Sequence, residues 1–504
     1  MADRLHFGTA GLRAPLGDGP LSMNVQTIEQ VARAVAQWLP EASTLVIGRD
    51  ARYGSGDFAN VTARVLAEAG HDAHIFVEPV PTPVVAHEVV RIGAAGGVMV
   101  TASHNPATDN GYKVYAADGG QILLEDAALI EALMAAEPWP DSVDVELPDS
   151  VTILGSREIE LYLQTIDKDP SVDSPGLTIA YTAMHGVGGD LFVRALNAAG
   201  HVVHSVPEQH EPDPDFPTAP FPNPEESGTL DLVIELADEV DADIILANDP
   251  DADRLAVAVQ RGRGWERLTG DEIGVLLGSS ILDQTTGSRS VATTIVSSSL
   301  LSKVAAAAEV TCHTTLTGFK WLARAGDGTN EPLVFAYEEA LGYSVEPSIR
   351  DKDGISAGLR FAKLAAQCVD SGRSIDDYLT NIYTTHGYHL TGQVSSRFDG
   401  TNPMADMTNA MLALRAEPPT MIATLEVLDV IDLIDGFQGL QPTDALIYIL
   451  DGGRVIVRPS GTEPKLKVYL ETVADSRERA QARLDELASK VLRSIAVSEA
   501  AERP

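Results

Sequence analysis

The sequence predicts an α/β protein in which three related α/β domains with mixed sheets precede a C-terminal α+β domain. Two observations support this prediction. Strands and helices alternate along most of the chain, and one strand and helix pattern occurs more than once. Residues 64–74 align with residues 194–204, and in both a Gly-His pair follows a helix and precedes a strand. A third, weaker copy begins at Ser290, so we expect three related α/β repeats.

The order of elements within each repeat follows from the apolar runs and the turn residues. In the first repeat we place a strand at 44–48, a turn at 49–56, a helix that ends at Gly70 and a strand at 74–76. The second repeat opens with a strand near Leu177. In the third we place a strand at 290–296, a helix at 300–308 and a strand at 310–313.

The chain changes character from about Gly387. We place a helix at 404–415, a strand at 445–450 and a further strand at 455–457, and the Asp451-Gly452-Gly453 turn between these strands predicts an antiparallel hairpin. The predicted domains comprise residues 1–155, 156–280, 281–386 and 387–504.

Composition limits the class of protein. With 504 residues, at roughly 100 to 200 residues per domain, three or four domains are expected. Two cysteines, Cys312 and Cys368, exclude a disulfide framework and a four-thiolate zinc site. The net charge of −37 argues against nucleic-acid and anionic-membrane partners, which need a basic face. Without a signal segment or a membrane-spanning apolar run, we expect a cytoplasmic protein.

A serine loop is the first candidate for chemistry. Thr101 to Pro106 follows the apolar run Val98 to Val100, so the loop leaves the end of a buried strand. Ser103 can therefore present its hydroxyl from a rigid base. An ordinary Ser/Asn/Pro turn is the alternative for this segment taken alone.

A carboxylate loop is the second candidate. Asp249, Asp251 and Asp253 follow an apolar strand, and carboxylates at alternate positions supply the hard oxygen ligands that suit Mg²⁺. The loop does not match a calcium-binding EF-hand, because Arg254 occupies the position where that loop needs glycine and Gln260 occupies the position where it needs glutamate. A solvated acidic turn is the remaining alternative.

Arg458 to Lys465 has the composition of an anion-binding loop. Gly461 lets backbone amides approach an anion, Ser460 and Thr462 add hydroxyl donors, and Arg458 can bind a phosphate through two hydrogen bonds. A plain turn with an unrelated arginine is the alternative.

Glu338 and Glu339 follow another apolar run and could accept hydrogen bonds from sugar hydroxyls, although a solvated edge explains an isolated Glu-Glu pair equally well. Arg13, Lys113 and Lys352 could supply positive potential and a proton-transfer group whose pKa burial would lower. Each of these cations, taken singly, is more often found at the surface.

Two competing motifs are set aside. Residues 354–358 match the nucleophile-elbow pattern of α/β-hydrolases, but that elbow must follow a buried strand and here follows Arg350 to Asp353. Residues 186–189 are glycine-rich after a strand, yet the spaced third glycine of a dinucleotide site is missing.

Together these segments resemble the α-D-phosphohexomutase superfamily, which includes phosphoglucomutases, phosphomannomutases and phosphopentomutases. The resemblance runs from Phe7 to about Leu470 and is closest to the phosphoglucomutase/phosphopentomutase branch. Four motifs occur in the family's order: Thr101 to Pro106, Asp249 to Arg254, Glu338 to Gly342 and Arg458 to Thr462. The resemblance implies four domains arranged around a central cleft.

The resemblance also implies roles for individual residues. Ser103 would carry the phosphoryl group and, with Asp249, Asp251 and Asp253, would bind Mg²⁺. The other implied catalytic residues are Arg13, His104, Lys113 and Lys352. The implied substrate-binding residues are Arg254, Gly318, Glu338, Glu339, Arg458, Ser460, Gly461 and Thr462.

The predicted function is a phosphosugar mutase that interconverts hexose 1-phosphate and hexose 6-phosphate through a phosphoserine and a sugar bisphosphate. Glucose is expected first and mannose second. Mg²⁺ is the expected cofactor, and glucose 1,6-bisphosphate or a similar sugar bisphosphate is the expected activator. The expected partners are sugar phosphates, and the expected assembly is a monomer or a homodimer. Phosphopentomutase activity, a Mg²⁺-dependent sugar phosphatase and a non-catalytic sugar-phosphate binder are the alternatives.

Overall fold

The computed structural model describes residues 4–8, 11–167, 176–262, 264–460 and 464–495. The chain forms two compact units. The first comprises Met1–Ala292 and Gly318–Asp376, and the second comprises Thr293–Thr317 and Asp377–Pro504. No helix within the described ranges is both long and apolar enough to cross a membrane.

The first α/β module lies in the first unit. Its elements are β1 (Leu12–Pro15), α1 (Val25–Trp38), β2 (Thr44–Arg49), α2 (Ser55–Glu68), β3 (Asp72–Phe76), α3 (Thr82–Ile92), β4 (Gly96–Val100), β5 (Asp109–Ala116), α4 (Leu124–Ala136), β6 (Thr152–Leu154) and α5 (Ser156–Ile166). The strand order is β1-β5-β4-β2-β3-β6. β2 is parallel to β3 and β4, whereas β5 is antiparallel to β4 and β1, so the sheet is mixed.

The second module also lies in the first unit. Its elements are β7 (Thr178–Thr182), α6 (Gly189–Ala198), β8 (Val202–Ser205), α7 (Pro207–His210), α8 (Asp231–Glu239), β9 (Ile244–Ala247), β10 (Ala256–Arg261), β11 (Gly264–Arg267) and α9 (Gly270–Gln284). The strand order is β11-β10-β9-β7-β8. β7 is parallel to β8 and β9, and β10 is antiparallel to β9 and β11. This sheet is mixed as well.

The third module contributes to both units. Its elements are β12 (Ser290–Thr294), α10 (Leu300–Ala307), β13 (Thr311–Thr315), α11 (Phe319–Leu322), β14 (Leu333–Glu338), β15 (Gly342–Ser344), α12 (Gly354–Asp370) and α13 (Ile375–His386). In the first unit β14 and β15 pair antiparallel. Gly354 begins a helix whose N-terminal amides are capped by the Asp353 carboxylate, so this glycine-rich segment is a helix start.

The C-terminal module lies in the second unit. Its elements are β16 (Tyr388–Arg397), α14 (Pro403–Ala416), β17 (Met421–Ile422), β18 (Leu425–Asp432), β19 (Leu446–Leu450), β20 (Gly453–Pro459), β21 (Lys465–Ala474) and α15 (Arg477–Ser494). The strand order is β16-β21-β20-β19-β18-β17, and each neighbouring pair is antiparallel. The predicted hairpin is confirmed between β19 and β20.

The repeated Gly-His pairs occupy equivalent positions in the first two modules. Gly70 and Gly200 have φ of +88° and +89°, a left-handed conformation that glycine adopts without steric cost. The next amide, of His71 or His201, donates to a carbonyl in the last turn of the preceding helix. The predicted helix ends are therefore confirmed, and the alignment reflects a shared local structure.

The strands that carry the candidate site are fully buried. β4 and β9 consist of residues that are all shielded from solvent, and each ends directly before one of the two chemistry-bearing loops. Aliphatic side chains such as Ile47, Ile75 and Val98 form the core of the first module. Loops at the carboxyl ends of such strands start from a rigid base, which is the usual location of sites in α/β sheets.

Candidate active site

The serine loop begins at Thr101, directly after β4. Ser103 has φ of +52°, which is unusual for a residue with a side chain, and its amide donates to Thr101 Oγ1 at 2.9 Å. The residue is buried. Its hydroxyl donates to Asp249 Oδ2 at 2.8 Å and lies 3.1 Å from His104 Nδ1. The loop conformation thus directs the hydroxyl to the carboxylate loop of the second module.

The three aspartates of the carboxylate loop converge. Asp249, Asp251 and Asp253 are buried, and one oxygen from each lies within 4.8 Å of the others. Ala252, between two of them, has φ of +54°. Asp251 Oδ1 and Asp253 Oδ1 make no hydrogen bond to any described residue. Such buried oxygens are costly unless an outside group binds them, and a hard oxygen set fits Mg²⁺.

Two lysines neutralise part of this charge. Lys113 Nζ lies 2.7 Å from Asp251 Oδ2 and 2.8 Å from Asp253 Oδ2, and Lys352 Nζ lies 3.2 Å from the latter oxygen. Burial lowers the pKa of both lysines, but the neighbouring carboxylates outweigh burial and raise it. The expectation that burial lowers these pKa values is therefore wrong, because the sequence did not show how close the carboxylates lie.

The aspartates differ in electrostatic state. Burial, and then the charges of Asp251 and Asp253, raise the pKa of Asp249 well above its ordinary value. Burial also opposes ionisation of Asp251, but the Lys113 ammonium outweighs it and holds that pKa below the ordinary value. The pKa of Asp253 is lowered as well, because Lys113 and Lys352 outweigh burial and Asp251. Asp249, beside Ser103, is thus the carboxylate whose charge is least compensated.

Arg13 and His104 lie beside the serine loop. Arg13, on β1, donates from Nη1 to Asn105 Oδ1 at 3.2 Å, and burial lowers the pKa of its guanidinium. Burial, followed by Arg254 and Arg13, holds the pKa of His104 well below its ordinary value. Both predicted residues therefore lie close to Ser103, and the His104 ring is neutral near pH 7.

The predicted sugar-binding residues of the first unit lie around the β14–β15 turn. Glu338 is the last residue of β14, within the strand and not beyond it as the sequence suggested, and burial raises its pKa. Glu339 follows in the turn. Arg254 bridges to Gly342 through its backbone, and its amide donates to Asp249 Oδ1 at 3.0 Å. The aspartate loop and the glutamate turn are thus joined.

Gly318 precedes α11 with φ of +115°, which favours glycine. The next residue, Phe319, places its ring 5.7 Å from Lys352 Nζ. Gly318 is therefore linked through Phe319 to a lysine of the aspartate cluster.

The predicted phosphate loop belongs to the second unit. Arg458 lies near the end of β20, with its guanidinium carbon 5.9 Å from the centre of the Tyr469 ring. Arg458 Nε is buried and makes no hydrogen bond to the described residues. The Ser460 amide donates to the Lys465 carbonyl at 2.8 Å. Gly461 and Thr462 lie outside the described residues.

Thr82 is a candidate residue that the sequence analysis missed. Its hydroxyl donates to Asp251 Oδ2 at 2.6 Å, and its amide donates to the Asp251 carbonyl at 3.0 Å. Thr82 is the first residue of α3, in a Pro-Thr-Pro sequence. A threonine at a helix start is common, so no local signal distinguishes it from an ordinary helix-starting residue.

Family models match along most of the chain. Residues 4–141, 160–262 and 269–386 match the models described as phosphoglucomutase/phosphomannomutase alpha/beta/alpha domains I, II and III. Residues 409–490 match the model of the C-terminal domain of the same family. The predicted architecture of three α/β domains and a C-terminal α+β domain is confirmed. The exact domain boundaries proposed from the sequence stay predictions.

Curated relatives are similar over nearly their whole length. A protein named "Probable phosphomannomutase" of Haemophilus influenzae is 38% identical, covering 94% of this chain and 99% of the relative. The phosphopentomutase of Mus musculus is 33% identical, covering 97% of this chain and 87% of the relative. A phosphoglucomutase of Staphylococcus aureus is 32% identical, covering 93% and 89% respectively.

A solved structure shares the fold. The phosphoglucomutase/phosphomannomutase family protein from Burkholderia thailandensis has a TM-score of 0.75 and 20% identity, with coverage of 97% of this chain and 98% of that chain. This comparison supports the fold, whereas the similarity of the curated sequences supports the family.

Proposed function

Because this chain belongs to the phosphoglucomutase/phosphomannomutase family, whose members are mutases of the isomerase class, we propose that it interconverts 1-phosphates and 6-phosphates of hexoses, with glucose as the first substrate and mannose as the second. The supporting observation is the 2.8 Å hydrogen bond from Ser103 Oγ to Asp249 Oδ2, beside two aspartate oxygens that lack partners among the described residues. A hydroxyl placed there can carry a phosphoryl group.

The proposed reaction has two transfers. A hydroxyl oxygen of the sugar monophosphate attacks the phosphorus of phosphorylated Ser103, the bond to Ser103 Oγ breaks, and the hydroxyl proton ends on that oxygen. The sugar bisphosphate then reorients so that its other phosphoryl group faces Ser103. That phosphoryl group is transferred to Ser103 by the reverse exchange. Positioning and charge stabilisation carry most of the catalysis in such transfers.

Asp249, Asp251, Asp253 and the Ser103 oxygen would hold Mg²⁺, which supplies positive charge for the transferred phosphoryl group. Thr82 and Lys113 hold Asp251 Oδ2, and Lys352 lies against Asp253 Oδ2, so these two carboxylates are oriented before any ligand arrives. Arg13, His104 and Arg254 add donors and charge beside Ser103. These residues therefore preorganise the site.

Glu338 would accept hydrogen bonds from sugar hydroxyls, with Glu339 and Gly318 completing that region. The assignment of Arg458, Ser460, Gly461 and Thr462 to the phosphate that is not transferred stays a prediction from the motif. Replacing Arg458 with Gln should raise KM for the sugar phosphate more than it lowers kcat, because phosphate binding contributes before the transition state.

Phosphopentomutase activity is the second candidate. It rests on the similarity to the mouse phosphopentomutase, which is about as close as the phosphoglucomutase of Staphylococcus aureus. Purified enzyme with Mg²⁺ and the matching sugar bisphosphate should be given glucose, mannose and ribose 1-phosphates, singly and in competition. The highest kcat/KM for glucose 1-phosphate supports the proposal, and a higher value for ribose 1-phosphate overturns the hexose assignment.

A phosphatase is distinguished by its product. With glucose 1-phosphate and a trace of glucose 1,6-bisphosphate, the mutase should release glucose 6-phosphate, and removal of Mg²⁺ by a chelator should stop the reaction. Intact mass should show one phosphoryl group on the wild type after treatment with the bisphosphate. Free phosphate in place of glucose 6-phosphate would refute the mutase, and an unmodified Ser103 would refute the phosphoserine route.

A further inference from the structure

A buried arginine binds backbone carbonyls of the serine loop and of the start of β5. Arg52 lies between β2 and α2, and its side chain is almost fully shielded from solvent. Nη1 donates to the carbonyls of Pro106 at 2.8 Å and Asp109 at 3.1 Å. Nη2 donates to the carbonyls of Asn105, at 2.7 Å, and Ser103. One guanidinium therefore binds three carbonyl oxygens of the serine loop and the carbonyl of Asp109, the first residue of β5.

The guanidinium is itself held in place. Arg52 Nε lies 3.2 Å from Asp50 Oδ2, while Asp50 Oδ1 accepts from the Arg52 amide and from the Ser55 hydroxyl. On its other side, the guanidinium carbon lies 4.9 Å from the centre of the Phe216 ring, which belongs to the second module. The planar fork is thus fixed by a carboxylate of its own module and an aromatic ring of the next.

The loop needs such support. Ser103 has φ of +52°, a conformation that costs free energy for a residue with a side chain and persists only where neighbours impose it. Within the loop, the Asn105 amide donates to Ala102 and the Asp109 amide to Pro106. These bonds use the carbonyls of Ala102 and Pro106, so the carbonyls of Ser103 and Asn105 take their donors from Arg52.

We propose that Arg52 is a positioning residue for phosphoryl transfer, which holds the Ser103 loop in the conformation that directs the hydroxyl to Asp249. The inference rests on the proposed function of Ser103. Among the described residues, Arg52 makes no hydrogen bond or ion pair with the carboxylates of Asp249, Asp251 and Asp253 or with Ser103 Oγ, so its direct contacts to the loop are to backbone carbonyls. A lysine cannot reproduce the effect, because one ammonium cannot reach four carbonyls spread over residues 103–109.

The test compares Arg52→Met and Arg52→Lys with Arg64→Met. Arg64 is a matched control, because it is a largely buried arginine of the same module that binds Glu29, Glu68 and the Asp144 carbonyl but not the serine loop. For each variant, kcat and KM are measured in the mutase assay. Phosphorylation of Ser103 by glucose 1,6-bisphosphate is followed by intact mass, and amide hydrogen exchange is followed in residues 101–109.

We expect Arg52→Met to lower kcat by about 100-fold with little change in KM, because a displaced nucleophile loses alignment while the sugar-binding groups remain. Phosphorylation of Ser103 should slow in parallel, and amides of the loop should exchange faster. Arg52→Lys should be intermediate. Arg64→Met should lose stability but keep kcat and loop exchange near those of the wild type.

Equal kcat values and equal loop exchange in Arg52→Met and Arg64→Met would overturn the inference. If Arg52→Met does not fold, Phe216→Leu takes its place, since it removes the ring that packs on the guanidinium and should loosen the loop to a smaller extent. A wild type that takes up no phosphoryl group on Ser103 refutes the proposed function. In that case loop exchange still decides whether Arg52 holds the loop.

Discussion

Two buried serines of this chain make the same hydrogen bond in different surroundings. Ser103 Oγ donates to Asp249 Oδ2 at 2.8 Å in the first unit, and Ser298 Oγ donates to Glu471 Oε1 at 2.8 Å in the second. Both carboxylates are buried. The bond itself therefore does not explain why a phosphoserine is proposed at Ser103 and not at Ser298.

The surroundings of Glu471 are complete. Oε1 also accepts from the amide and hydroxyl of Ser299 at 2.8 and 2.9 Å and lies 3.1 Å from His389 Nδ1, while Oε2 lies 2.6 Å from Arg454 Nε. Burial alone would raise the pKa of Glu471, but Arg454 and these hydrogen bonds outweigh burial and hold the pKa far below its ordinary value. The carboxylate is thus paired on both oxygens.

The aspartate cluster, in contrast, has carboxylate oxygens without hydrogen-bond partners among the described residues. Asp251 and Asp253 each keep one buried oxygen without a partner among the described residues, and the pKa of Asp249 is raised by burial and by these two neighbours. Natural structures leave few buried polar atoms unpaired, so such atoms indicate that a ligand completes the cluster. The two clusters therefore differ in whether protein groups pair all their carboxylate oxygens, and the three converging aspartates are the cluster that a cation could complete.

The largest expected difference is between the two serines. Ser103→Ala should lower kcat by about 10⁴-fold or more, because it removes the oxygen that we propose carries the phosphoryl group. Ser298→Ala should keep its activity and lose about 1.5 kcal/mol of unfolding free energy, because a buried carboxylate loses a donor. Mutase assays and urea unfolding measure the two effects. Comparable kcat values for the two variants would contradict the assignment of Ser103.

Glu471→Gln should be the most destabilising single change in the comparison, at about 3 kcal/mol. It removes the charge that faces Arg454 and His389 and introduces an amide donor among existing donors. Urea unfolding of the variant against the wild type gives the value. A loss no larger than that of an exposed substitution would mean that the cluster does not stabilise the second unit.

Asp249→Asn should change the free energy of unfolding in the opposite direction to Glu471→Gln. Without metal, it should raise the unfolding free energy by about 1 kcal/mol, because it removes one of three crowded negative charges and keeps the side-chain oxygen that accepts from the Arg254 amide. Thermal unfolding with and without Mg²⁺ provides the check. The variant should also lose most of the stabilisation that Mg²⁺ gives the wild type, and a destabilised metal-free variant would disprove the expected repulsion.

The smallest expected effect is a pH dependence of the Glu471 contribution. A carboxyl group whose pKa is depressed by folding stabilises the protein above its ordinary pKa of 4.5 and loses that contribution as pH falls towards its folded value. Between about pH 7 and about pH 4, the stability difference between wild type and Glu471→Gln should shrink by about 0.8 kcal/mol. A difference that grows on acidification would show that the pKa is raised.

Much of the fold could be predicted from the sequence. The Gly-His repeats and the hairpin turn at 451–453 follow local rules, because helix ends and tight turns depend on a few adjacent residues. The resemblance to the α-D-phosphohexomutase superfamily is confirmed by the matching family models and relatives. The apolar run before Glu338 does not show where the strand ends, since β14 continues through Glu338.

The sequence by itself determined which residues have the chemistry that the proposed site needs: a serine after a buried strand, three alternate aspartates and two lysines. Only the tertiary structure decided how these groups affect one another. It placed Lys113 and Lys352 against the aspartates, which raised pKa values that burial alone would lower, and it brought Thr82 and Arg52 to loops far away in the chain. The physical reason is distance, because electrostatic and hydrogen-bond energies depend on separations of a few ångströms that residue spacing does not specify.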